Sequence, residues 1–285
     1  MIHHEGQFKS KDGLNLFYQY WRPPQENQAV IVIAHGSGEH SGRYANVVNY
    51  FGDKNYLLYG FDFRGHGKSE GKIGHVMSWQ EYREDLDCFL QFVRAKNPDK
   101  QVFLYSHSMG AQIALDYLTI NGHQPLAGLI ASAPAIAPPA ASPLLILVGK
   151  LLSIILPGFK LENGLDVNTI SRDQEVVRAY SSDPLVSSKI SARFASQFLA
   201  CIDRVQSHAA NIDIPVFIFH GEADQIIPVQ GTLQFFDKIS FSDKKLKIYQ
   251  GGFHEPHNDV QKLEVFQDIE RWLSDHIHQR AQESL

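Results

Sequence analysis

Two kinds of hydrophobic patterning alternate along this chain, and the alternation predicts its architecture. Short continuous apolar runs at Ala29 to Ala34, Tyr56 to Phe61, Gln101 to Tyr105, Leu126 to Ala131, Pro215 to Phe219 and Lys245 to Tyr249 read as strands buried on both faces. Between them the apolar positions recur at helical spacing. Trp79 to Lys96 places Tyr82, Leu86, Phe89, Leu90 and Val93 on one stripe, and Val260 to Ile277 does the same with Leu263, Phe266, Ile269, Trp272 and Leu273. An earlier strand, Leu14 to Tyr20, follows the turn signal Lys11-Asp12-Gly13 and ends before Pro23-Pro24. Strands alternating with helices of this length predict an α/β fold with a mostly parallel central sheet flanked by helices.

The alternation stops between about Pro134 and Ile214, a stretch rich in Pro, Ala and Ser, with helix-like apolar clusters and no convincing strand. It reads as an insertion. The expected organisation is one core, residues 1–133 and 215–285, interrupted by a helical cap over 134–214. Within the cap, Leu144, Leu145, Ile146, Leu147, Val148, Leu151, Leu152, Ile154, Ile155 and Leu156 are apolar on nearly every side of a predicted helix, although covering one core needs only a stripe. Gly149, Lys150 and Ser153 interrupt the run and Pro157 ends it, short of the roughly 20 residues that span a bilayer. The excess surface suits an acyl tunnel or transient contact with a membrane surface, with Lys150 near the headgroups; packing against other cap segments or a dimer partner is the alternative.

Composition narrows the classes further. At 285 residues, 44% hydrophobic and 20% charged, the chain is long and apolar enough for a sizeable core and is not a disordered one. Twenty-six Lys and Arg against 31 Asp and Glu leave a formal charge of −5, with no basic footprint for nucleic acid. Two cysteines, Cys88 and Cys201, fit a reducing compartment. The N-terminal residues contain no apolar core of secretory length, so the expectation is a cytoplasmic protein, peripheral at membranes through its cap. Oligomeric state stays open.

The strongest chemical signal is Ser106-His107-Ser108-Met109-Gly110, between the run ending at Tyr105 and the helical stretch from Ala111. A serine on a sharp strand-to-helix turn, with small neighbours two residues either side, is a nucleophile elbow; the pattern is G-x-S-x-G with Ser106 in place of the first glycine. Ser108 needs a base, and the base needs an acid to hold its tautomer, in the chain order Ser, acid, His. Asp224 follows the strand ending at Phe219, and His254 follows the next strand. Glu222 and His257 are their local rivals, each read as loop capping or surface solvation. The oxyanion requires N–H donors: Met109, at a helix N-terminus, and Ser37, in the H-G-x-G turn His35-Gly36-Ser37-Gly38. The polar segment Asp62 to Ser69 reads as a loop pinned by its own hydrogen bonds. No metal-ligand spacing, Walker loop or G-x-G-x-x-G fingerprint is present, so no metal and no cofactor is expected.

His35 to Tyr44 (H-G-S-G-E-H-S-G-R-Y), Asp62 to Ser69 (D-F-R-G-H-G-K-S), His107-Ser108-Met109-Gly110, Ser182-Asp183-Pro184-Leu185 and Gly252-Phe253-His254-Glu255 together resemble the monoacylglycerol lipases of the α/β-hydrolase superfamily, over nearly the whole chain. The resemblance implies an α/β-hydrolase fold and a serine hydrolase that releases fatty acid and glycerol from monoacylglycerol or a similar lipid ester, without a cofactor. It implies a triad of Ser108, Asp224 and His254, and oxyanion donors at Ser37, in place of a more usual alanine, and at Met109. Glu39, Arg43, His107 and Tyr180 match positions near the glycerol end of that family's pocket. A lysophospholipase and a broad carboxylesterase are the near alternatives. A binding module that keeps the fold without turnover is the distant one, because fold does not imply function.

Overall fold

The computed structural model describes residues 1–121, 125–137 and 143–283, with the side chains of 121, 143–146 and 278–283 outside the description. Strands β1 (Ile2–Lys9) and β2 (Asn15–Arg22) open the chain as a hairpin. They are followed by β3 (Val30–Ala34), α1 (Ala45–Asp53), β4 (Leu57–Phe61), α2 (Gln80–Lys96), β5 (Val102–His107), α3 (Met109–Asn121) and β6 (Gly128–Ser132). Next come α4 (Pro143–Ile155), β7 (Lys160–Glu162), α5 (Gln174–Ser182), β8 (Lys189–Ser191) and α6 (Ala192–Ser207). The chain then closes with β9 (Val216–Gly221), α7 (Val229–Lys238), β10 (Lys244–Tyr249) and α8 (Lys262–Glu283).

Eight strands form one sheet in the order β1-β2-β4-β3-β5-β6-β9-β10, with β2 antiparallel to β1 and β4 and the other neighbours parallel. This is the α/β-hydrolase arrangement. The period of two along β3 explains its continuous apolar run: Val30, Val32 and Ala34 pack with α2, α3 and α6, while Ile31 and Ile33 pack with α1 and α8 on the opposite face. The strand order reverses at β3, so the loops leaving β3 and β5 flank the crevice where open α/β sheets bind ligands.

Three features differ from the sequence expectation. Strand β1 has no apolar alternation, and only Phe8 of it is buried; its ladder with β2 is a backbone property. Strand β10 is a half-exposed edge strand in which Tyr249 alone is buried. The stretch 134–214 does contain strands: β7 and β8 form a separate antiparallel pair, three residues each, too short to show a period.

Helix α6 lies on α3, and α4 lies on α6. Ser191 caps α6 by accepting from Phe194 N at 3.0 Å. Asp116 of α3, fully buried, accepts from Arg204 of α6 at 2.6 and 2.9 Å and from Arg83 of α2 at 2.5 Å. This ion cluster fixes α6 relative to the helix that begins at Met109. The outer surface of α4 is bare, with Ile154 and Ile155 71% and 72% exposed. Among the described residues no helix is long and apolar enough to cross a membrane.

Candidate active site

The turn between β5 and α3 forms as the motif predicts. Ser108 takes a positive φ of 51°, a strained value for a residue with a Cβ, and its N–H bonds to Ser132 O at 2.9 Å. Gly110 permits the tight turn: a Cβ there would stand 2.3 Å from Ala34 O and 2.4 Å from His35 O, so α3 could not begin against the end of β3.

From this turn the Ser108 hydroxyl reaches His254 Nε2 at 3.0 Å. His254 Nδ1 donates to Asp224 Oδ2 at 2.7 Å, and the other Asp224 oxygen accepts from the backbone N–H groups of Ile226 and Ile227 at 2.8 and 2.9 Å. The three side chains come from the ends of β5 and β9 and from the loop after β10. Burial opposes a charge on both partners, but their mutual attraction prevails: Asp224 is held well below the usual carboxylate range, and His254 is raised above its ordinary 6.5. Sequence reasoning missed His220, the last-but-one residue of β9, whose Nε2 donates to Asp224 Oδ2 at 2.9 Å while Nδ1 bonds Thr232 Oγ1 at 2.8 Å.

The rivals have other positions. Glu222 accepts from Gly251 N at 3.0 Å and ties the two loops together. His257 is fully buried instead of surface-solvated, stacked on Tyr44 with ring centroids 5.0 Å apart, and burial depresses it to about 4.

The loop after β3 is fixed by its own residues. His35 Nδ1 donates to Gly36 O at 2.7 Å, Nε2 accepts from Phe63 N at 2.9 Å, and Gly36 N donates to Glu39 Oε1 at 2.6 Å. Ser37 follows directly and lines the cavity beside Ser108, while Met109 N opens α3. Gly38 takes φ +73° and abuts Ser187 O, so a Cβ there would stand 2.3 Å away. The segment Asp62 to Ser69 is structural: Asp62 accepts from Ser41 N at 2.8 Å and Lys68 N at 2.9 Å, and Arg64 binds Asp85 through two bonds of 2.6 Å.

A cavity of about 480 Å³ opens over Ser108. Its lining includes the polar Glu39, His107 and Tyr180 and the apolar Ile190, Phe194, Phe198 and Leu199, the last three from one face of α6. Arg43 does not line it. Its guanidinium lies behind the wall, 4.5 Å from the Tyr180 ring centroid, and is held by Glu39 and by both oxygens of Glu255 at 2.8 and 2.9 Å. His107 touches Ser132 Oγ at 3.2 Å, and burial holds it far below its ordinary range. Glu255 was not legible in the sequence, because only the distant Arg43 gives it meaning. The α4 side chains that are described are absent from the cavity wall; Leu144, Leu145 and Ile146 lie outside the described side chains. Among the described residues no cluster of metal-ligating side chains occurs.

A family model described as serine aminopeptidase, S33, matches residues 25–261. The chain is 34% identical over 277 residues to a monoacylglycerol lipase of Mycolicibacterium smegmatis, covering 96% of this chain and 98% of the relative. It is 32% identical over 269 residues to a monoglyceride lipase of Homo sapiens, covering 92% and 88%. Among solved structures, a monoacylglycerol lipase of Paleococcus ferrophilus aligns with a TM-score of 0.81 at 29% identity, over 97% of this chain and 100% of that one.

Proposed function

Because the chain belongs to the serine aminopeptidase S33 family of α/β-hydrolases, among its monoacylglycerol-lipase-like members, and is a carboxylic ester hydrolase, we propose that it cleaves monoacylglycerol to fatty acid and glycerol. Ser108 is the nucleophile: its oxygen attacks the ester carbonyl while its proton passes to His254 Nε2. Asp224 holds His254 with Nδ1–H outward to itself and stabilises the imidazolium, and His220 keeps Asp224 in place. The N–H groups of Ser37 and Met109 receive the oxyanion. Collapse breaks the bond to the glycerol oxygen, which leaves with the proton from His254. Water then attacks the acyl-enzyme, giving a proton to His254, and collapse breaks the Ser108 Oγ–acyl bond as His254 returns that proton to Oγ, releasing the fatty acid.

The observation that carries this reading is the cavity over Ser108, whose lining combines Glu39, His107 and Tyr180 with Phe194, Phe198 and Leu199 from α6. A hydroxyl-bearing alcohol suits the polar members of the lining and an acyl chain the apolar ones. Peptide cleavage from a free N-terminus would need a carboxylate placed for the ammonium group; of the three that line the cavity, Asp166 is exposed and caps the turn at Asn168, and the two buried ones are engaged. Both oxygens of Glu39 and of Glu255 already accept from Arg43, Tyr44, Gly36 or Asn258. A choline headgroup fits poorly for a related reason: Arg43 already stacks on one face of Tyr180.

Residues 134–214 act as the cap in this proposal, and α4 is its membrane-contacting surface. Exposed Leu147, Val148, Leu151, Ile154 and Ile155 share α4 with Lys150; Arg193 donates to Ser153 Oγ of α4 and to Met77 O, Lys160 donates to Ile73 O, and no ion pair to a carboxylate is formed by these three among the described residues. Apolar surface beside cations that no carboxylate neutralises suits an anionic lipid interface. The decisive experiment is initial-rate hydrolysis of 1- and 2-monoacylglycerols over a range of acyl lengths, beside lysophosphatidylcholine and a short soluble ester, with Ser108→Ala as control. Ser108-dependent turnover fastest on monoacylglycerol is the expected result. Activity on the soluble ester alone makes the protein a general esterase, faster turnover of lysophosphatidylcholine makes it a lysophospholipase, and no Ser108-dependent activity makes it a binding module.

A further inference from the structure

At the cavity wall three buried charged side chains form one connected unit, with Glu39 and Glu255 in the lining and Arg43 behind them. Arg43 Nη1 and Nη2 donate to the two oxygens of Glu255 at 2.8 and 2.9 Å, and Nη1 also donates to Glu39 Oε2. Glu39 Oε1 accepts from Tyr44 OH at 2.7 Å and Gly36 N at 2.6 Å; Glu255 Oε2 accepts from Asn258 Nδ2 at 2.8 Å. Every partner is a donor, which suits two ionised carboxylates. All three side chains are at most 8% exposed. Burying such a unit is expensive, and a hydrophobic cluster would hold the same loops together at lower cost.

Its connections give it a purpose. Glu255 is the next residue after His254, and Gly36 is the residue before Ser37. The sequence Glu255–Arg43–Glu39–Gly36 therefore links the loop that carries the base to the loop that carries an oxyanion donor, two loops more than 200 positions apart in the chain. We infer that Glu255 is a positioning residue for the ester hydrolysis, which through Arg43 and Glu39 fixes the Ser37 N–H relative to His254 and leaves one uncompensated negative charge beside the base. Glu39 and Arg43 thus act chiefly as parts of this brace, Arg43 without touching substrate. This inference rests on the serine-hydrolase reading above.

The electrostatics follow from the count. Two carboxylates and one guanidinium leave the brace one negative charge, and Asp224 adds another. When His254 takes the Ser108 proton, its imidazolium supplies a positive charge that these groups favour. The other groups facing His254 are the rings of His107, with centroids 4.8 Å apart, and His257 farther back; burial holds both neutral, so neither offers a competing cation. Burial alone would lower His254, and Asp224, then Glu255 and Glu39, raise it.

The test uses the full chain, p-nitrophenyl butyrate as a soluble probe, and the variants Glu255→Gln, Glu255→Asp, Glu39→Gln and Ser108→Ala. Glu255→Gln should lower kcat about ten- to a hundredfold with KM within about twofold, since both Glu255 oxygens are already engaged by Arg43 and Asn258 and loosening the loops mainly misplaces reacting groups. It should also move the acid limb of kcat/KM down by about one pH unit, because a neighbouring carboxylate has been neutralised. Glu255→Asp should restore the limb even where kcat stays low, and Glu39→Gln should move the limb in the same direction as Glu255→Gln. An unmoved limb in both Gln variants, or a loss confined to KM, overturns the inference. If Glu255→Gln does not fold, Glu39→Gln and Glu255→Asp decide by the same criterion. Residual activity in Ser108→Ala would instead overturn the serine-hydrolase reading itself.

Discussion

Ser106 shows how a departure from a motif is accommodated by its surroundings. The position that precedes such an elbow is usually glycine because the turn is crowded, and here the added hydroxymethyl is buried with Oγ donating to Ile130 O at 3.2 Å. The turn forms around a satisfied hydroxyl. Ser106→Gly should therefore leave kcat/KM within about twofold and lower the unfolding free energy by about 1 kcal/mol, from one lost hydrogen bond and a more flexible unfolded chain; urea denaturation beside initial rates checks both. The proposed base gives a prediction with a sign. His254 accepts a proton only when neutral, and it is held above its ordinary 6.5, so kcat/KM should climb with pH through a midpoint above 6.5. Asp224→Asn should reduce kcat by about 10⁴-fold and shift that midpoint downward. A pH-rate profile of both proteins measures it. Ser108, Asp224 and His254 were legible because each follows an apolar strand in a fixed chain order. His220 and Glu255 were not: one is defined by a hydrogen bond to Asp224 and the other by an arginine on a distant helical turn, and neither relation leaves a local pattern.

At the scale of elements, legibility followed hydrophobic continuity. Strands β3 to β6 and β9 are buried on both faces, so their apolar runs declared them, and α2 and α8 declared themselves by a stripe of period 3.6, although Leu263, read onto the α8 stripe, is exposed and Val265 is buried instead. Strand β1 pairs through its backbone with polar side chains facing water, and β7 and β8 are three residues long; neither has a period to read. The helix α4 was readable as anomalous, and the structure resolves which side is surplus: one packs on α6 and the other is exposed. The double variant Ile154→Ser/Ile155→Ser should leave the thermal midpoint within about 2 °C, since surface changes of this kind are worth under about 0.5 kcal/mol. It should reduce cosedimentation with phosphatidylcholine vesicles containing phosphatidylglycerol. The buried side of α6 has the opposite character. Asp116→Asn leaves Arg83 and Arg204 half-paired where α2, α3 and α6 meet, and should lower stability by about 3 kcal/mol in urea unfolding, because breaking a buried pair strands its partners. Activity should fall with it as α6, which carries Phe194 and Phe198, loosens against α3.

Over the whole molecule, the histidines divide into groups that pull stability in opposite directions with pH. His35, His66, His107 and His257 are buried and held neutral, His66 depressed to about 3 and His257 to about 4, in each case mainly because burial penalises the charged ring. In the unfolded chain all four return to about 6.5. Between that value and their folded ones, the unfolded state binds more protons, so stability must fall as pH drops through this window, by about 1.4 kcal/mol per pH unit for each group fully engaged. His254 works the other way. Raised in the folded state, it contributes stability that is gained as pH falls through its folded value and complete below 6.5. Four lowered groups outweigh one raised group, and Asp224 and Glu255, both held below the carboxylate range by their partners, extend the loss further into acid. The unfolding free energy should therefore be nearly flat from pH 8 to 6.5 and then decline steeply, by several kcal/mol before pH 5 is reached. Urea titrations at half-unit pH intervals measure this slope directly. Replacing His257 with Phe, which stacks on Tyr44 without a titrating nitrogen, should make the decline shallower by the contribution of one group while raising stability at pH 5 relative to the native protein. An unchanged slope in that variant would mean that His257 is protonated in the folded state and that another buried group carries the acid sensitivity.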